Sequence, residues 1–253
     1  MKFLIPSYKR AGKQKTLEYL HGMGYRRDEI ILSTQTEADY AEYQRNYGDR
    51  ARIIYGEAHN VSGNRNNLLK TLKIGEKAVM LDDAIASIDR LICLKDAKHP
   101  FGRFEKIQQK AALEKVLNAA FAICEAHNGH VFGAYSVHNE RMIYGAVQNN
   151  GSISKNKLFI GTVFGIIFDG QLFDERYETK EDYAYILRQI SDGKPVFRLN
   201  SVSPYASHFT KGGCQEAWKS DKNLYSAMLL VSEFPEQVKH NPNKVGEILQ
   251  IRR

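Results

Sequence analysis

Through its first eighty residues the chain alternates short apolar runs with amphipathic stretches. Phe3-Leu4-Ile5-Pro6-Ser7, Glu29–Thr34, Ala51–Gly56 and Lys77–Leu81 are each apolar at their centre and bounded by turn-forming or polar residues, which predicts buried strands. Between them, Lys13–Met23, Glu37–Tyr47 and Ser62–Ile74 read as helices, with Gly24 and Gly48 as stops. Short strands that do not alternate, separated by helices, predict a parallel sheet buried on both faces. Right-handed crossovers make it a doubly wound α/β unit. Ligands of such sheets lie outside the carboxyl ends of the strands. Three polar clusters fall there: Ser7-Tyr8-Lys9-Arg10, Val61-Ser62-Gly63-Asn64-Arg65 and Asp82-Asp83.

The second half has a different rhythm. Phe104–Glu125 predicts one long helix, with Leu113, Val116, Leu117, Ala120, Phe121 and Cys124 on a core-facing stripe. Strands are expected at His130–Val137, Leu158–Phe168 and Pro195–Val202, and a last one at Val245–Ile251. Helices are expected at Thr179–Ile190 and Ala217–Ser232. Gly145–Asn156, rich in Gly, Asn and Ser, reads as a mobile loop. No linker or repeat divides the chain, so one domain is expected over 1–253.

Composition narrows the class. The chain has 253 residues, 43% hydrophobic and 26% charged, enough for a sizeable core without disulfides or structural metal. The longest apolar run, Phe159–Phe168, is too short to span a bilayer, so no membrane partner is expected. Cys93, Cys124 and Cys214 are odd in number and far apart, which points to a reducing cytoplasm. A formal charge of +7, spread without a basic tail, permits a polyanionic partner without requiring one. No GxSxG, GxxxxGK[ST], GxGxxG or HExxH is present, which removes support for a serine hydrolase, a P-loop NTPase, a Rossmann dehydrogenase and a zinc hydrolase.

Asp82-Asp83 is the sharpest chemical feature. Adjacent carboxylates beside a buried sheet are costly unless something pairs with them. Mg²⁺ or Mn²⁺ suits such oxygen ligands, often shared with substrate phosphates. Aspartate at a strand end also serves as a plain cap, and the dipeptide alone does not separate the two.

In order and spacing, Pro6-Ser7-Tyr8-Lys9-Arg10, Gly63-Asn64-Arg65 and Leu81-Asp82-Asp83 resemble the GT-A fold of nucleotide-sugar glycosyltransferases. More narrowly, they resemble the TET-associated glycosyltransferases, phage enzymes that attach sugars to hydroxymethylated pyrimidines in DNA. The likeness covers about the first 90 residues. It implies an α/β, mostly parallel, Rossmann-like sheet, with a nucleotide-sugar-binding half (1–96) and an acceptor-binding half (97–253). Pro6, Ser7, Tyr8 and Arg10 would cradle the nucleoside, with Tyr8 stacked on the base. Gly63, Asn64 and Arg65 would sit near ribose or diphosphate. Asp82 and Asp83 would hold Mn²⁺ or Mg²⁺ on a UDP-sugar. The family pattern carries a further acid where this chain has Ala84, which places the metal site in question.

The resemblance extends more loosely onward. Glu181-Asp182 is similar to the acidic pair of many GT-A enzymes, with Asp182 the expected general base in an inverting reaction. Acids at a helix start also serve the helix dipole. His208 would complete the metal site, and Lys211, beside Gly212-Gly213, would neutralise the leaving phosphate. Tyr135, His138, Arg141 and Trp218 are candidate acceptor contacts. Asp174 and Glu175 form a third acidic candidate, read as surface loop. The expected activity is sugar transfer to 5-hydroxymethylcytosine in phage DNA, in the host cytoplasm. Two alternatives stay open: a GT-A transferase for a saccharide or protein acceptor, or a related nucleotidyltransferase; and a catalytically inactive GT-A-like module that binds nucleic acid or nucleotide.

Overall fold

The structure is a computed structural model that describes residues 1–93, 98–206 and 221–251. His208, Lys211 and Trp218 lie outside the described residues.

The first half follows the predicted order. It runs β1 (Lys2–Pro6), α1 (Lys15–Gly22), β2 (Ile30–Thr34), α2 (Glu37–Tyr47), β3 (Arg52–Tyr55), α3 (Val61–Leu69) and β4 (Lys77–Leu81). The four strands are parallel, in the order β3-β2-β1-β4. Alternate side chains enter opposite layers, as the two-residue period of a strand requires. Phe3, Ile5, Val79 and Leu81 join Leu17, Leu20 and Phe121 on one face. Leu4, Ala78 and Met80 join Leu68, Leu69 and Phe164 on the other.

After β4 come β5 (Ile85–Ile92), β6 (Arg103–Lys106), α4 (Lys110–Ala126), β7 (Val131–Ala134), α5 (Glu140–Asn150), β8 (Ile153–Lys155) and β9 (Val163–Ile167). Then follow α6 (Glu181–Ser191), β10 (Val196–Leu199), β11 (Val202–Ala206), α7 (Asp221–Glu233), β12 (Val238–His240) and β13 (Ile248–Gln250). The main sheet continues from β4 through β9, β7, β10 and β8. β9 runs antiparallel to both β4 and β7, so the sheet is mostly parallel rather than wholly so. A separate sheet, β11-β5-β6, stands beside it.

Several expectations need correction. The helix expected from Phe104 begins only at Lys110. Phe104 to Lys106 instead pair with Asp89–Leu91 as an edge strand, because β5 offers them a ladder that helical periodicity cannot reveal. The core stripe stands: Leu113, Leu117, Ala120, Phe121 and Cys124 are buried. The expected loop at 145–156 is mostly α5 and β8. Asn139 caps α5 by accepting from the Met142 N–H, and Ile143 anchors it in the core. The expected strand 195–202 breaks at Asn200, whose buried amide donates to Gly151 O and Ser154 Oγ and sends β10 and β11 into different sheets. Of 158–168, only Val163–Ile167 is strand; the residues before it form a loop against the site.

Two glycines set the tightness of the β7–β9 pairing. Gly165 lies opposite Phe132, and any Cβ there would run into that ring; Gly133 lies opposite Phe164, and a Cβ there would run into the ring of Phe159. We expect Gly165→Ala to lose about 1–3 kcal/mol through overpacking, read as a lowered thermal melting point. An unchanged melt would show that the rings have room to move.

Asp169 ties the turn after β9 to α6. It accepts from the Gln171 N–H (3.1 Å), Gln189 Nε2 (2.9 Å) and Lys194 Nζ (2.7 Å). Burial pushes its carboxyl up, but these donors outweigh that and hold it below the ordinary carboxylate value. A lowered folded value stabilises above the unfolded value, near 3.9 for Asp, and that support is lost as pH falls through the folded one. Asp169→Asn should therefore cost about 1–3 kcal/mol at neutral pH and flatten the acid limb of the stability curve below about pH 4. Equal acid limbs in chemical denaturation would refute it.

Candidate active site

The loop after β1 folds back onto β4. Lys9 adopts a left-handed conformation (φ 53°), turning the chain so that the Arg10 N–H donates to Tyr43 Oη at 2.8 Å. Ser7 Oγ donates to Asp83 Oδ2 at 2.6 Å. With its one hydrogen committed, Ser7 accepts from Gln14 Nε2 and from the Tyr43 hydroxyl, each at 2.7 Å. Arg10 Nη1 lies 3.2 Å from Asp83 Oδ1. Both Asp83 oxygens are thus engaged. Burial pushes its carboxyl up to about 6 against the pull of Arg10 and Ser7.

Asp82 stands at the junction of three segments. Its N–H donates to Thr162 O at 3.1 Å, and its carbonyl accepts from Thr16 Oγ1 on α1. Thr16 Oγ1 also accepts from the Ile85 N–H, so α1 clamps the β4–β5 turn. The Asp82 carboxylate is 37% exposed and lies 3.2 Å from Arg65 Nη2.

α3 delivers Arg65. Asn60 caps that helix by accepting from the Gly63 N–H at 2.9 Å. A Cβ at Gly63 would crowd Ala58 at 3.1 Å and Glu175 at 3.3 Å. Asn64 Nδ2 donates to Ser7 O and Ser33 O, satisfying the carboxyl ends of β1 and β2. The Arg65 side chain is only 5% exposed. Its Nη1 lies 3.4 Å from Glu181 Oε1, and its guanidinium covers the Phe173 ring at 5.3 Å. A buried cation therefore bridges Asp82 of the first half and Glu181 of the second. Burial pushes the Glu181 carboxyl above the usual range, opposed by Arg65. Asp182 is fixed beside it, accepting from the Gly161 N–H at 2.6 Å and the Tyr183 N–H at 2.7 Å.

Of the predicted residues, Ser7, Arg10, Asn64, Arg65, Asp82, Asp83, Glu181 and Asp182 thus form one connected cluster, with Gly63 in the supporting turn. Pro6 ends β1, and Tyr8 is half-buried with the Lys9 ammonium 4.8 Å from its ring centre. Tyr135 and His138 lie on the loop after β7. Ser136 joins that loop to the site lead-in by accepting from the Ile160 N–H at 3.0 Å. Arg198 covers Tyr135 at 4.9 Å, and exposed Arg141 lies 5.9 Å from the Phe101 ring. Asp174 pairs with Arg176, and Glu175 accepts from Asn66 Nδ2. Tyr43, Gln14, Thr16 and Gly161 carry no local signal for their roles, because their partners are remote in sequence.

No protein-family model matches the sequence, and no curated protein sequence does. Among solved structures, the chain is similar to the mannosyltransferase PcManGT from Pyrobaculum calidifontis in complex with GDP-Man and Mn²⁺. The TM-score is 0.56 at 15% identity, over 95% of this chain and 65% of that one. The fold is GT-A-like. The chain spans about 65% of that mannosyltransferase's length. S. aureus TarS is a more distant likeness, with a TM-score of 0.46 at 14% identity over 91% of this chain and 40% of that one.

In the GT-A-like sheet the cluster occupies the carboxyl ends of β1 and β4, where such folds take their ligands. Four carboxyl groups (Asp82, Asp83, Glu181, Asp182) there face two guanidinium groups (Arg10, Arg65). That balance and the hard oxygen donors fit a divalent cation. Among the described residues no group of three or more His, Cys, Asp or Glu side chains forms a metal cage by itself. Asp82 is the most open of the four carboxylates. No helix among the described residues is long and apolar enough to cross a membrane.

Proposed function

We propose that the chain is a nucleotide-sugar glycosyltransferase of the TET-associated kind. It takes a UDP-sugar and transfers the sugar to the hydroxymethyl group of 5-hydroxymethylcytosine in phage DNA, in the host cytoplasm. The observation that carries the reading is the bridge made by Arg65. It draws the Gly63-Asn64-Arg65 turn, Asp82 and Glu181 into one buried cluster beside Ser7 and Arg10. The mannosyltransferase likeness supports a nucleotide-sugar donor and a divalent ion.

In this proposal Ser7, Tyr8 and Arg10 hold the nucleoside, and Arg65 positions Asp82 toward the diphosphate. Asp82 and Asp83, with His208, would hold Mn²⁺ or Mg²⁺, which when bound draws charge from the leaving diphosphate. Asp182 takes the proton of the acceptor hydroxyl. The acceptor oxygen bonds the sugar carbon as the carbon–phosphate oxygen bond breaks, and the electron pair leaves with the diphosphate. The Gly161 N–H holds Asp182 in place for that transfer.

The test is incubation with UDP-sugars and GDP-mannose, with Mn²⁺, on oligonucleotides with and without hydroxymethylcytosine. Intact-mass analysis should show one added sugar per modified base. Transfer to saccharide or protein alone would replace the acceptor. Absence of any Mn²⁺-dependent nucleotide binding would leave an inactive binding module.

A further inference from the structure

Resting on the reading of the acceptor as a nucleic-acid strand, we propose a second binding site. It is a stacking and phosphate track on the β11-β5-β6 sheet that holds nucleotides flanking the reacting one. Residues directly opposite in an antiparallel ladder share a face. The register therefore sets Ser203, Asp89 and Lys106 in one cross-strand row, with Tyr205 and Ser87 in a second row on that face. His138 reaches this sheet from the β7–α5 loop. Its ring stacks on Phe104 at 3.8 Å with a 23° tilt and stands 5.1 Å from Tyr205, which is 54% exposed. An aromatic platform thus opens at Tyr205.

The platform carries hydrogen-bonding capacity beneath it. His138 Nε2 lies 2.8 Å from Asp89 Oδ2, which holds the ring in place over the sheet. Asp89 Oδ1 and Ser203 Oγ, in one row, are buried without a hydrogen bond. Leaving such groups unpaired is costly.

Lys106 joins this platform to a groove of about 530 Å³ along α1, lined by Lys13, Lys15, Glu18, Tyr19, Lys106 and Gln108. Three ammonium groups face one carboxylate there. Stacking rings next to a cationic groove is how single strands are held without sequence preference. A neutral saccharide leaves the lysines unused, and a sulfated polysaccharide leaves the rings unused. Asp89 lies six residues beyond Asp83, up to about 20 Å at strand rise.

The test is fluorescence anisotropy with a labelled oligothymidylate across a salt series, with dextran sulfate as competitor. Melting curves check that each variant folds. Tyr205→Ala and His138→Ala should each weaken thymidylate binding about 5- to 100-fold. The triple variant K13Q/K15Q/K106Q should reduce the slope of log affinity against log salt by about 2. Unchanged affinity in Tyr205→Ala with full competition by dextran sulfate would reduce the site to charge alone and overturn the proposal. So would failure of the folded wild-type chain to bind thymidylate. Calorimetry with a UDP-sugar is run in parallel. Thymidylate binding without donor binding would refute the transferase reading and leave this site standing.

Discussion

Replacing Arg65 with methionine should lower the unfolding free energy by about 3–5 kcal/mol, because it strands a buried carboxylate without its counter-ion. For a chain of this size that is a fall of roughly 6–20 °C in melting temperature. The Glu181 side chain is 9% exposed and meets Arg65 at 3.4 Å, so water cannot take over the lost interaction. The pH dependence gives the prediction a sign. The Glu181 carboxyl already lies above its usual range through burial, and loss of the guanidinium raises it further. An acid raised on folding supports the fold below its unfolded value and loses that support as pH rises through the folded one. The variant should therefore regain stability relative to wild type as the solution is acidified from pH 8 to 5. The double substitution R65M/E181L should recover part of the deficit at every pH. Matching wild-type and R65M stability curves from pH 5 to 8 would remove the bridge as a structural element.

Asp82→Asn should behave oppositely, with little effect on the fold and a large one on chemistry. Its carboxylate is more than one-third exposed, and the buried Arg65 guanidinium keeps Glu181 at 3.4 Å when the Asp82 charge is gone. In the proposed reaction it faces the charge that develops on the leaving diphosphate. Removing one such stabilising group costs about 10²–10³ in turnover. We expect a fall of that size in initial rate, with Mn²⁺-dependent UDP binding weakened and the melting curve nearly unchanged. Asp83→Asn should shift the melting curve more than Asp82→Asn, because Asp83 is buried and tied to Ser7 and Arg10. Undiminished transfer by Asp82→Asn would dismiss this carboxylate from the reaction.

Where the chemistry is local, the sequence is readable. The runs Phe3–Ser7 and Lys77–Leu81 lie within a residue of the observed strands, because apolar layers bury them on both faces of the sheet. Asp82-Asp83 stands out because acids at the end of such a run contrast with it. Arg65 and Glu181 are each legible from local motifs, the Gly63-Asn64-Arg65 turn and the Glu181-Asp182 pair, but the bridge between them is not, since they are 116 residues apart. Asp89 is equally silent; only the pairing of β5 and the approach of His138 give it a role. β6 was hidden by the helical spacing that follows it, and α5 by a polar composition that its Asn139 cap and Ile143 anchor outweigh.

The reversed direction of β9 bears on how the protein can be taken apart. Its first residue, Val163, pairs with Leu81, so the turn that follows β4 and the loop that precedes β9 are stitched at Asp82 and Thr162. A fragment cut after Cys93 would present the unpaired flank of β4 to solvent along its whole length, inviting self-association. Split versions of the chain should consequently work by complementation, with two inert pieces gaining the proposed nucleotide affinity only on mixing.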